Sequence, residues 1–230
     1  MQIKNTKDLS AVNLKVLVYG ASGSGKTRLC GTTEEKTLII SAEAGLLSLR
    51  GKDIDFVEVK NMDDLQAVYG TLTQTHPYKW VCLDSISEIA EVVLANAKST
   101  NKDGRKAYME MGDTMTSMIR SFRDLPINVY MSAKMDKVKD DVTGGVTFGP
   151  STPGQKTAQG LPYFFDECFV LHSWKAVDPA SPDKEIIMRA LQTQGDAQYV
   201  AKDRSGALDL AEKPDLNYIY RKITQQKKEN

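Results

Sequence analysis

The sequence has 230 residues, of which 41% are hydrophobic and 26% are charged. This length suits one α/β domain with a well-buried core and is short for two full domains, and the composition excludes a largely disordered chain. The 30 Lys and Arg residues equal the 30 Asp and Glu residues in number, which excludes a globally basic surface. Any nucleic-acid contact must therefore come from local clusters of charge.

Four apolar runs in the first part of the sequence predict buried strands, at 14–19, 37–41, 56–59 and 80–83. Between the last two, apolar residues recur at helical spacing over 65–72, and Asn61 and Asp63 are candidate N-cap residues. Such alternation of strands and helices is typical of βαβ units. We therefore expect an α/β fold with a mostly parallel central sheet flanked by helices.

The middle of the sequence continues this pattern and then changes. Periodic apolar residues predict helices over 86–98 and 108–122, separated by a polar and basic stretch, and a fifth strand over 127–133. The segment 144–162 contains five glycines and three prolines, which predicts a loop or a hairpin.

The C-terminal part predicts strands without intervening helices, at 164–171, 185–191 and 199–201. Parallel strands need a long crossover connection, and no helix of that length is predicted here. The sheet should therefore end in antiparallel strands. A short terminal helix is predicted over 216–226, in a basic tail.

The cysteines and the N-terminus indicate the compartment. Cys30, Cys82 and Cys168 follow no metal-binding or redox spacing and have apolar neighbours, which predicts buried thiols in a reducing environment. Residues 1–10 are polar, with no apolar run behind them that suits a signal peptide, and no stretch approaches a membrane span. We expect a cytoplasmic protein with no membrane partner.

The strongest motif directly follows the first predicted strand. Residues 20–27 spell GASGSGKT, which matches the phosphate-binding loop G-x-x-x-x-G-K-[ST] at every fixed position. In this motif backbone N–H groups surround the β-phosphate, the lysine bridges the β- and γ-phosphates, and the threonine hydroxyl ligates Mg²⁺. The alternative is a Gly- and Ser-rich surface turn. We predict that ATP, with Mg²⁺, is bound by Gly20, Ala21, Ser22, Gly23, Ser24, Gly25, Lys26, Thr27 and Arg28.

Two acidic residues follow predicted strands. Asp84 ends an apolar run in the pattern of a Walker B strand, whose carboxylate holds Mg²⁺ together with Thr27; the alternative is an N-cap for the next helix. Ser85 follows where many P-loop ATPases carry a glutamate that activates water. Glu43, after the strand at 37–41, is our candidate general base for the attacking water. Its alternative role is to complement the dipole of a helix that starts after it.

Together these elements resemble RecA-like ATPase cores, which carry a P-loop, a glutamate after the following strand and a Walker B aspartate. Over about residues 12–210 the sequence is also similar to small phage-encoded nucleotide-binding proteins, described as RecA-like recombinase paralogues that assist single-strand annealing. The resemblance implies a RecA-like ATPase domain over 1–211 and a basic C-terminal helix or tail over 212–230. It also implies the cytoplasm of the host as the location, if a phage encodes the chain.

A cationic pair near the C-terminus extends this resemblance. Lys202 and Arg204 are similar to the Lys-x-Arg element of bacterial RadA and KaiC relatives, in which both cations reach the γ-phosphate of the neighbouring subunit. The resemblance implies that Lys202 and Arg204 are catalytic, with Arg204 as an arginine finger, and that the protein is a homo-oligomer with active sites at subunit interfaces. An exposed charged turn is the alternative, and whether the pair acts in cis or in trans is open.

RecA-like proteins bind DNA through segments after the Walker B helix and after the next strand. Here those places hold basic residues, namely Lys98, Lys102, Arg105, Lys106, Lys134, Lys137, Lys139 and Lys156. The resemblance implies single-stranded DNA as a partner, held through its phosphates with little readout of bases. A solvated loop is the alternative for the second cluster, because nearby aspartates dilute its charge. A single-strand-binding or annealing protein is a further candidate partner.

Three functions fit these observations. The leading hypothesis is an ATPase that acts on single-stranded DNA in phage-type recombination or replication. The second hypothesis is a small-molecule kinase. Such an enzyme would need an arginine-rich lid over its acceptor, and the absence of arginine from residues 136–162 counts against this function. A nucleotide-dependent clamp or loader would bind a protein partner and hydrolyse ATP slowly or not at all.

Overall fold

The computed structural model describes residues 13–43, 45–139 and 144–225. Within these residues one sheet contains ten strands: β1 Lys15–Gly20, β2 Thr37–Ser41, β3 Asp55–Glu58, β4 Trp80–Asp84, β5 Asn128–Lys139, β6 Val146–Ser151, β7 Glu167–Asp178, β8 Ser181–Gln192, β9 Lys202–Asp203 and β10 Ala211–Glu212. The α-helices of the same residues are α1 Lys26–Leu29, α2 Met62–Leu72, α3 Ile86–Thr100, α4 Gly104–Arg123, α5 Gln155–Gly160 and α6 Leu216–Gln225. Short 3₁₀ turns occur at Cys30–Thr32, Leu46–Leu49 and Leu161–Phe164.

The sheet is parallel at its centre and antiparallel at one end. Its parallel strands lie in the order β7-β1-β5-β4-β2-β3, and β8 and β10 extend it beyond β7 in antiparallel pairing. β6 pairs with β5 and β9 with β7, both antiparallel. The expectation of an α/β fold with a mostly parallel sheet, flanking helices and antiparallel C-terminal strands is confirmed.

β7 is parallel to β1, although we expected only antiparallel strands at this end. The crossover that makes this possible consists of the six-residue α5 and the following 3₁₀ turn, within the Gly- and Pro-rich segment. An element this short contains too few residues to show helical periodicity in the sequence. β5 and β6 pair as antiparallel neighbours, which agrees with the hairpin that was one of the two expectations for this segment, and residues 140–143 lie outside the described residues.

The central strands are buried on both faces, which explains their continuous apolar runs. In β1, Leu17 and Tyr19 contribute to one core cluster, while Val16 and Val18 contribute to the other. Side chains alternate between the faces of a strand, so β1 holds both layers together. The carboxyl end of this buried strand is the starting point of the P-loop.

Side-chain caps mark the first turns of helices α2, α3 and α4. Asn61 and Asp64 form a capping box at the start of α2, and Ser85 caps α3 by accepting a hydrogen bond from the Glu88 N–H. α4 begins at Gly104, earlier than predicted, because the Asp103 side chain accepts from the Arg105 N–H at 2.9 Å. Arg105 and Lys106 therefore lie in the first turn of a helix and not in the connecting segment.

The C-terminal elements pack on the same core as the rest of the chain. β10 pairs with β8, and the boundary we drew between residues 211 and 212 falls inside this strand. Leu216, Ile219 and Ile223 of α6 are buried in the second core cluster. The strand expected at 199–201 is reduced to a single bridge between Phe148 and Tyr199.

No helix in the described part of the chain combines the length and the apolar character that crossing a membrane requires.

Candidate functional site

The P-loop motif forms a tight turn between β1 and α1. Gly23 and Gly25 have φ angles of 75° and 109°, in the left-handed region that only glycine adopts without strain. Lys26 Nζ donates to the carbonyl oxygens of Gly20 and Ala21, at 2.9 and 3.0 Å, so the lysine folds back over the loop. The turn borders a cavity of about 420 Å³, lined by Gly20, Ser22, Gly23, Gly25, Lys26, Thr27, Arg28, Glu43, Ser48, Asp84, Lys134, Met135 and Arg189.

Asp84 connects the Walker B strand to the P-loop. Its side chain is buried, and its Oδ2 accepts a hydrogen bond from the Thr27 hydroxyl at 2.6 Å. Its Oδ1 accepts from the Ser132 hydroxyl at 2.5 Å, because β5 lies between β1 and β4. The N-cap role that we left open for Asp84 is filled by Ser85.

Thr27 and Asp84 together provide the donor atoms that Mg²⁺ prefers. A hydroxyl and a carboxylate are hard oxygen ligands, and Mg²⁺ in phosphate sites is bound by one or two such groups, by the phosphates and by water. No group of three or more His, Cys, Asp or Glu side chains suited to a metal occurs within the described residues. The residues present therefore fit a metal that arrives with a nucleotide, and they do not fit an all-protein metal cage.

Glu43 reaches the same edge of the sheet through β2. This strand pairs with β4 so that Ser41 lies opposite Asp84, which carries Glu43 to the rim of the cavity. The Ser85 hydroxyl donates to Glu43 Oε1 at 2.7 Å. The helical turn Leu46–Leu49 has Gly45 as its preceding residue and no acidic residue in its first turn, so Glu43 does not serve as a helix-start residue.

The cavity contains several cations. Burial lowers the pKa of Lys26; the nearby charges of Glu43 and Asp84 oppose this shift, and the smaller effect of Lys134 adds to it. Lys134 pairs with Glu88, and this hydrogen bond raises the pKa of Lys134. Lys134 lines the cavity at the P-loop, whereas from the sequence we expected it to lie in a DNA-binding segment.

Ser132 and Arg189 make hydrogen bonds that hold the site together, and sequence reasoning predicted neither as a site residue. Ser132 lies on the fifth strand, and its contact with Asp84 depends on β5 being inserted between β1 and β4, an order that the sequence does not reveal. Arg189 lies on β8, and its Nε donates to the carbonyl oxygen of Ser24 at 2.8 Å. The sequence placed Arg189 in the predicted strand at 185–191, within the range that is similar to the phage proteins, and assigned it no role.

Lys202 and Arg204 lie away from the P-loop of their own chain. β9 pairs with the first residues of β7, and Glu167 of β7 lies opposite Val16, near the start of β1. The pair is therefore at the amino end of the sheet, about 13 Å along β1 from Gly20 at the usual rise per residue. Arg204 Nη1 donates to Asp166 Oδ1 at 2.9 Å, and 59% of the arginine side chain is exposed.

The predicted DNA-binding residues form two separate groups. One surrounds the junction of α3 and α4, where Lys98 Nζ lies 5.6 Å from the centroid of the Tyr108 ring and where Lys102, Arg105 and Lys106 are exposed. The other lies around the hairpin of β5 and β6, with exposed Lys137 and Lys156 and with Lys139 as the last residue of β5. Neither group lines the cavity at the P-loop.

Comparison with known proteins identifies the domain. A protein-family model described as an AAA domain matches residues 12–205, which include the P-loop, Glu43, Asp84 and the Lys202–Asp203 strand. No curated protein gives a significant match. The match covers most of the chain, and the side chains around the cavity have the chemistry of a triphosphate site. The chain therefore belongs to this family of AAA-type P-loop ATPase domains, which bind nucleotides.

Proposed function

We propose that this protein binds ATP with Mg²⁺ and hydrolyses it in the cavity around Lys26. The observation that supports this most directly is the meeting of Thr27, Asp84 and Glu43 at one end of the P-loop. Thr27 and Asp84 have the chemistry for metal binding and Glu43 has that for activation of the attacking water, next to Lys26, which has the charge for phosphate binding. The family match supports nucleotide binding by the same residues.

Each side chain has a defined task in this mechanism. Lys26 binds the β- and γ-phosphate oxygens, and Thr27 and Asp84 hold the metal, which offsets phosphate charge when it is bound. Ser85 fixes Glu43 through Oε1, and Oε2 has no partner among the described residues. Glu43 accepts the proton of the attacking water as the new P–O bond forms and the bond to ADP breaks.

Phosphate release from ATP by the purified protein tests this activity. We expect turnover in the presence of Mg²⁺ and its loss in Lys26→Ala, because the bridging cation stabilises charge on the transferred group. Lys213→Ala, an exposed lysine paired with Asp215, is the matched control. Equal turnover in wild type and Lys26→Ala would show that the activity does not come from this cavity.

We also propose that Lys202 and Arg204 act in trans within a homo-oligomer. Their position at the opposite end of β1 from Gly20 supports contact with the γ-phosphate of a neighbouring subunit over contact with that of their own chain. A mixture of Lys26→Ala and Arg204→Ala subunits contains interfaces that join an intact P-loop to an intact arginine. Recovery of turnover in the mixture supports this role, and a mixture as inactive as its components contradicts it.

Single-stranded DNA is the partner that we propose for the exposed basic groups, in phage-type recombination or replication in the host cytoplasm. The support is the placement of Lys98, Lys102, Arg105 and Lys106 around one helix junction, together with the resemblance to RecA-like proteins. Free, buried cysteines agree with a reducing location. Stimulation of phosphate release by single-stranded DNA, weakened by added salt, is the expected result. Turnover indifferent to DNA would favour a protein partner, such as a single-strand-binding or annealing protein.

A further inference from the structure

Two arginines line the described cavity at the P-loop: Arg28, which directly follows the motif, and Arg189, which comes from the distant strand β8. Arg189 lies opposite Ser173 of β7, and its Nε donates to the carbonyl oxygen of Ser24. The guanidinium lies directly against Gly25, where an added Cβ would be 2.9 Å from Arg189 Nε. The absence of a side chain at Gly25 is therefore what lets this arginine reach the loop.

The Nη1 and Nη2 groups of Arg189 have no hydrogen-bond or ion-pair partner among the residues that the structure describes. An arginine that used all its donors for structure would have its guanidinium fork filled by carboxylates or carbonyl groups. Here one donor holds the P-loop, and the remaining donors lie at a cavity built for phosphates. Planar guanidinium groups bind phosphate oxygens through two parallel hydrogen bonds.

The position of Arg189 indicates which phosphates it reaches. A second cavity of about 340 Å³ adjoins the first and shares Gly25, Arg28, Ser48 and Arg189 with it. The walls of this second cavity include none of the residues assigned to the γ-phosphate, the metal or the attacking water, namely Lys26, Thr27, Glu43 and Asp84. Arg189 thus lies where the two cavities meet, whereas the residues assigned to the terminal phosphate line only the first cavity.

We propose that Arg189 binds the α- and β-phosphates of the nucleotide in cis. This inference rests on the proposed function, since it assumes that the P-loop holds a nucleoside triphosphate. Nε stays on the Ser24 carbonyl while Nη1 and Nη2 contact phosphate oxygens, so the arginine links the P-loop, the nucleotide and the hairpin of β7 and β8. Arg189 is a binding residue in this assignment and not part of the hydrolytic step.

The competing role for Arg189 is purely structural, as a support for the Ser24 carbonyl. Arg189→Gln separates the two roles, because glutamine keeps a neutral N–H donor on a long side chain and removes the charge and the fork. Arg221→Gln is the matched control. It removes the same charge from α6, where Arg221 pairs with Glu34 and 56% of its side chain is exposed, outside both cavities.

The test measures the affinity of the full chain for ATP, ADP and adenosine by titration calorimetry, with Mg²⁺ present for ATP and ADP. Arg189→Gln should weaken the affinity for ATP and the affinity for ADP about equally, by about 10- to 100-fold, as expected for the loss of charge-assisted hydrogen bonds. Adenosine binding should change less than about threefold, because adenosine has no phosphate for Arg189 to contact. The unfolding temperature without nucleotide should match that of Arg221→Gln.

Three results would overturn the assignment. Unchanged ATP and ADP affinity in Arg189→Gln would leave the arginine a structural role only. A weaker affinity for ATP with an unchanged affinity for ADP would show that Arg189 contacts the γ-phosphate instead. If the unaltered chain bound neither ATP nor ADP, the proposed function and this inference would both be overturned. If Lys26→Ala weakened the binding of ATP and Arg189→Gln did not, only the inference would be overturned.

Discussion

The Thr27 hydroxyl donates a hydrogen bond to Asp84 across 57 residues of sequence, at 2.6 Å. Thr27 is the second residue of α1, the helix after β1, and Asp84 ends β4; β5 lies between β1 and β4 in the sheet. The contact therefore joins the phosphate-binding loop to the acidic residue of a strand that is not its direct neighbour. It places a hydroxyl and a carboxylate oxygen where one metal ion could be shared by both.

Asp84→Asn should uncouple nucleotide binding from Mg²⁺. The amide keeps the size of the carboxylate but loses its charge, which is the ligand property that Mg²⁺ requires. We expect ATP affinity without Mg²⁺ to change little and turnover to fall by about 100-fold or more. Titration of ATP with and without Mg²⁺ measures the effect, with the exposed Asp209→Asn as control. A variant that keeps its Mg²⁺-dependent turnover would exclude Asp84 from the metal site.

Gly25→Ala should impair both stability and nucleotide binding. The φ of 109° strains any residue with a Cβ, and the new methyl group would displace Arg189. We expect a loss of about 1–2 kcal/mol in the free energy of unfolding and at least tenfold weaker ATP binding.

Gly70→Ala is the matched control for Gly25→Ala. Gly70 lies inside α2, and an added Cβ there would meet no atom within 4 Å. This variant should gain about 0.5–1 kcal/mol, since alanine is the better helix former, and it should bind ATP normally. Urea unfolding measures both variants, and equal stability changes in the two would show that the P-loop conformation is not constrained at Gly25.

Glu167 predicts a specific pH dependence of stability. Burial, and then the nearby charge of Asp203, raises the pKa of this carboxyl to about 8 from a model-peptide value of 4.5. The folded chain therefore holds this proton more tightly than the unfolded chain does. The resulting stabilisation is complete below about pH 4.5 and is lost as the pH rises to about 8.

Glu167→Gln, which resembles the protonated form, tests this dependence. Between pH 5 and pH 8 the free energy of unfolding of the wild type should fall, relative to that of the variant, by on the order of 2 kcal/mol. Lys15, whose pKa burial lowers to about 8, contributes the opposite slope only above that pH. The exposed Glu185→Gln is the control, and parallel stability curves for wild type and Glu167→Gln would refute the prediction.

α6 should be part of the cooperative unit of the domain. Ile219→Ala removes a side chain that is fully buried against the core, which typically costs about 2–4 kcal/mol. Arg221→Ala, exposed on the same helix, should cost less than about 0.5 kcal/mol. Urea unfolding followed by far-UV circular dichroism measures both. A wild-type midpoint for Ile219→Ala would mean that residues 212–230 form a separable tail.

Local signals were sufficient to predict the centre of the sheet and the P-loop. The runs around Leu17, Ile39 and Leu83 are buried on both faces of parallel strands, so their apolar character appears in the sequence without gaps. The P-loop has fixed residue types at fixed spacing because its backbone must turn tightly around a phosphate. Both features depend on neighbours in sequence.

Long-range pairing could not be predicted in the same way. Ser132 meets Asp84 because of the strand order, and Arg189 meets Ser24 across 165 residues because β8 folds back beside β7. Position along the chain says nothing about such contacts. The location of Lys202 at the far end of β1 likewise follows from the pairing of β9 with β7 and not from its motif.

Glu43→Gln provides the most direct test of hydrolysis by this cavity, with ATP turnover and ATP affinity measured on the same preparations. Glu34→Gln, an exposed glutamate paired with Arg221, serves as the control. We predict that Glu43→Gln binds ATP as the wild type does and hydrolyses it about 100- to 10,000-fold more slowly, the usual contribution of a general base. Wild-type turnover in Glu43→Gln would contradict the assignment of Glu43 and, with it, the proposed route of hydrolysis.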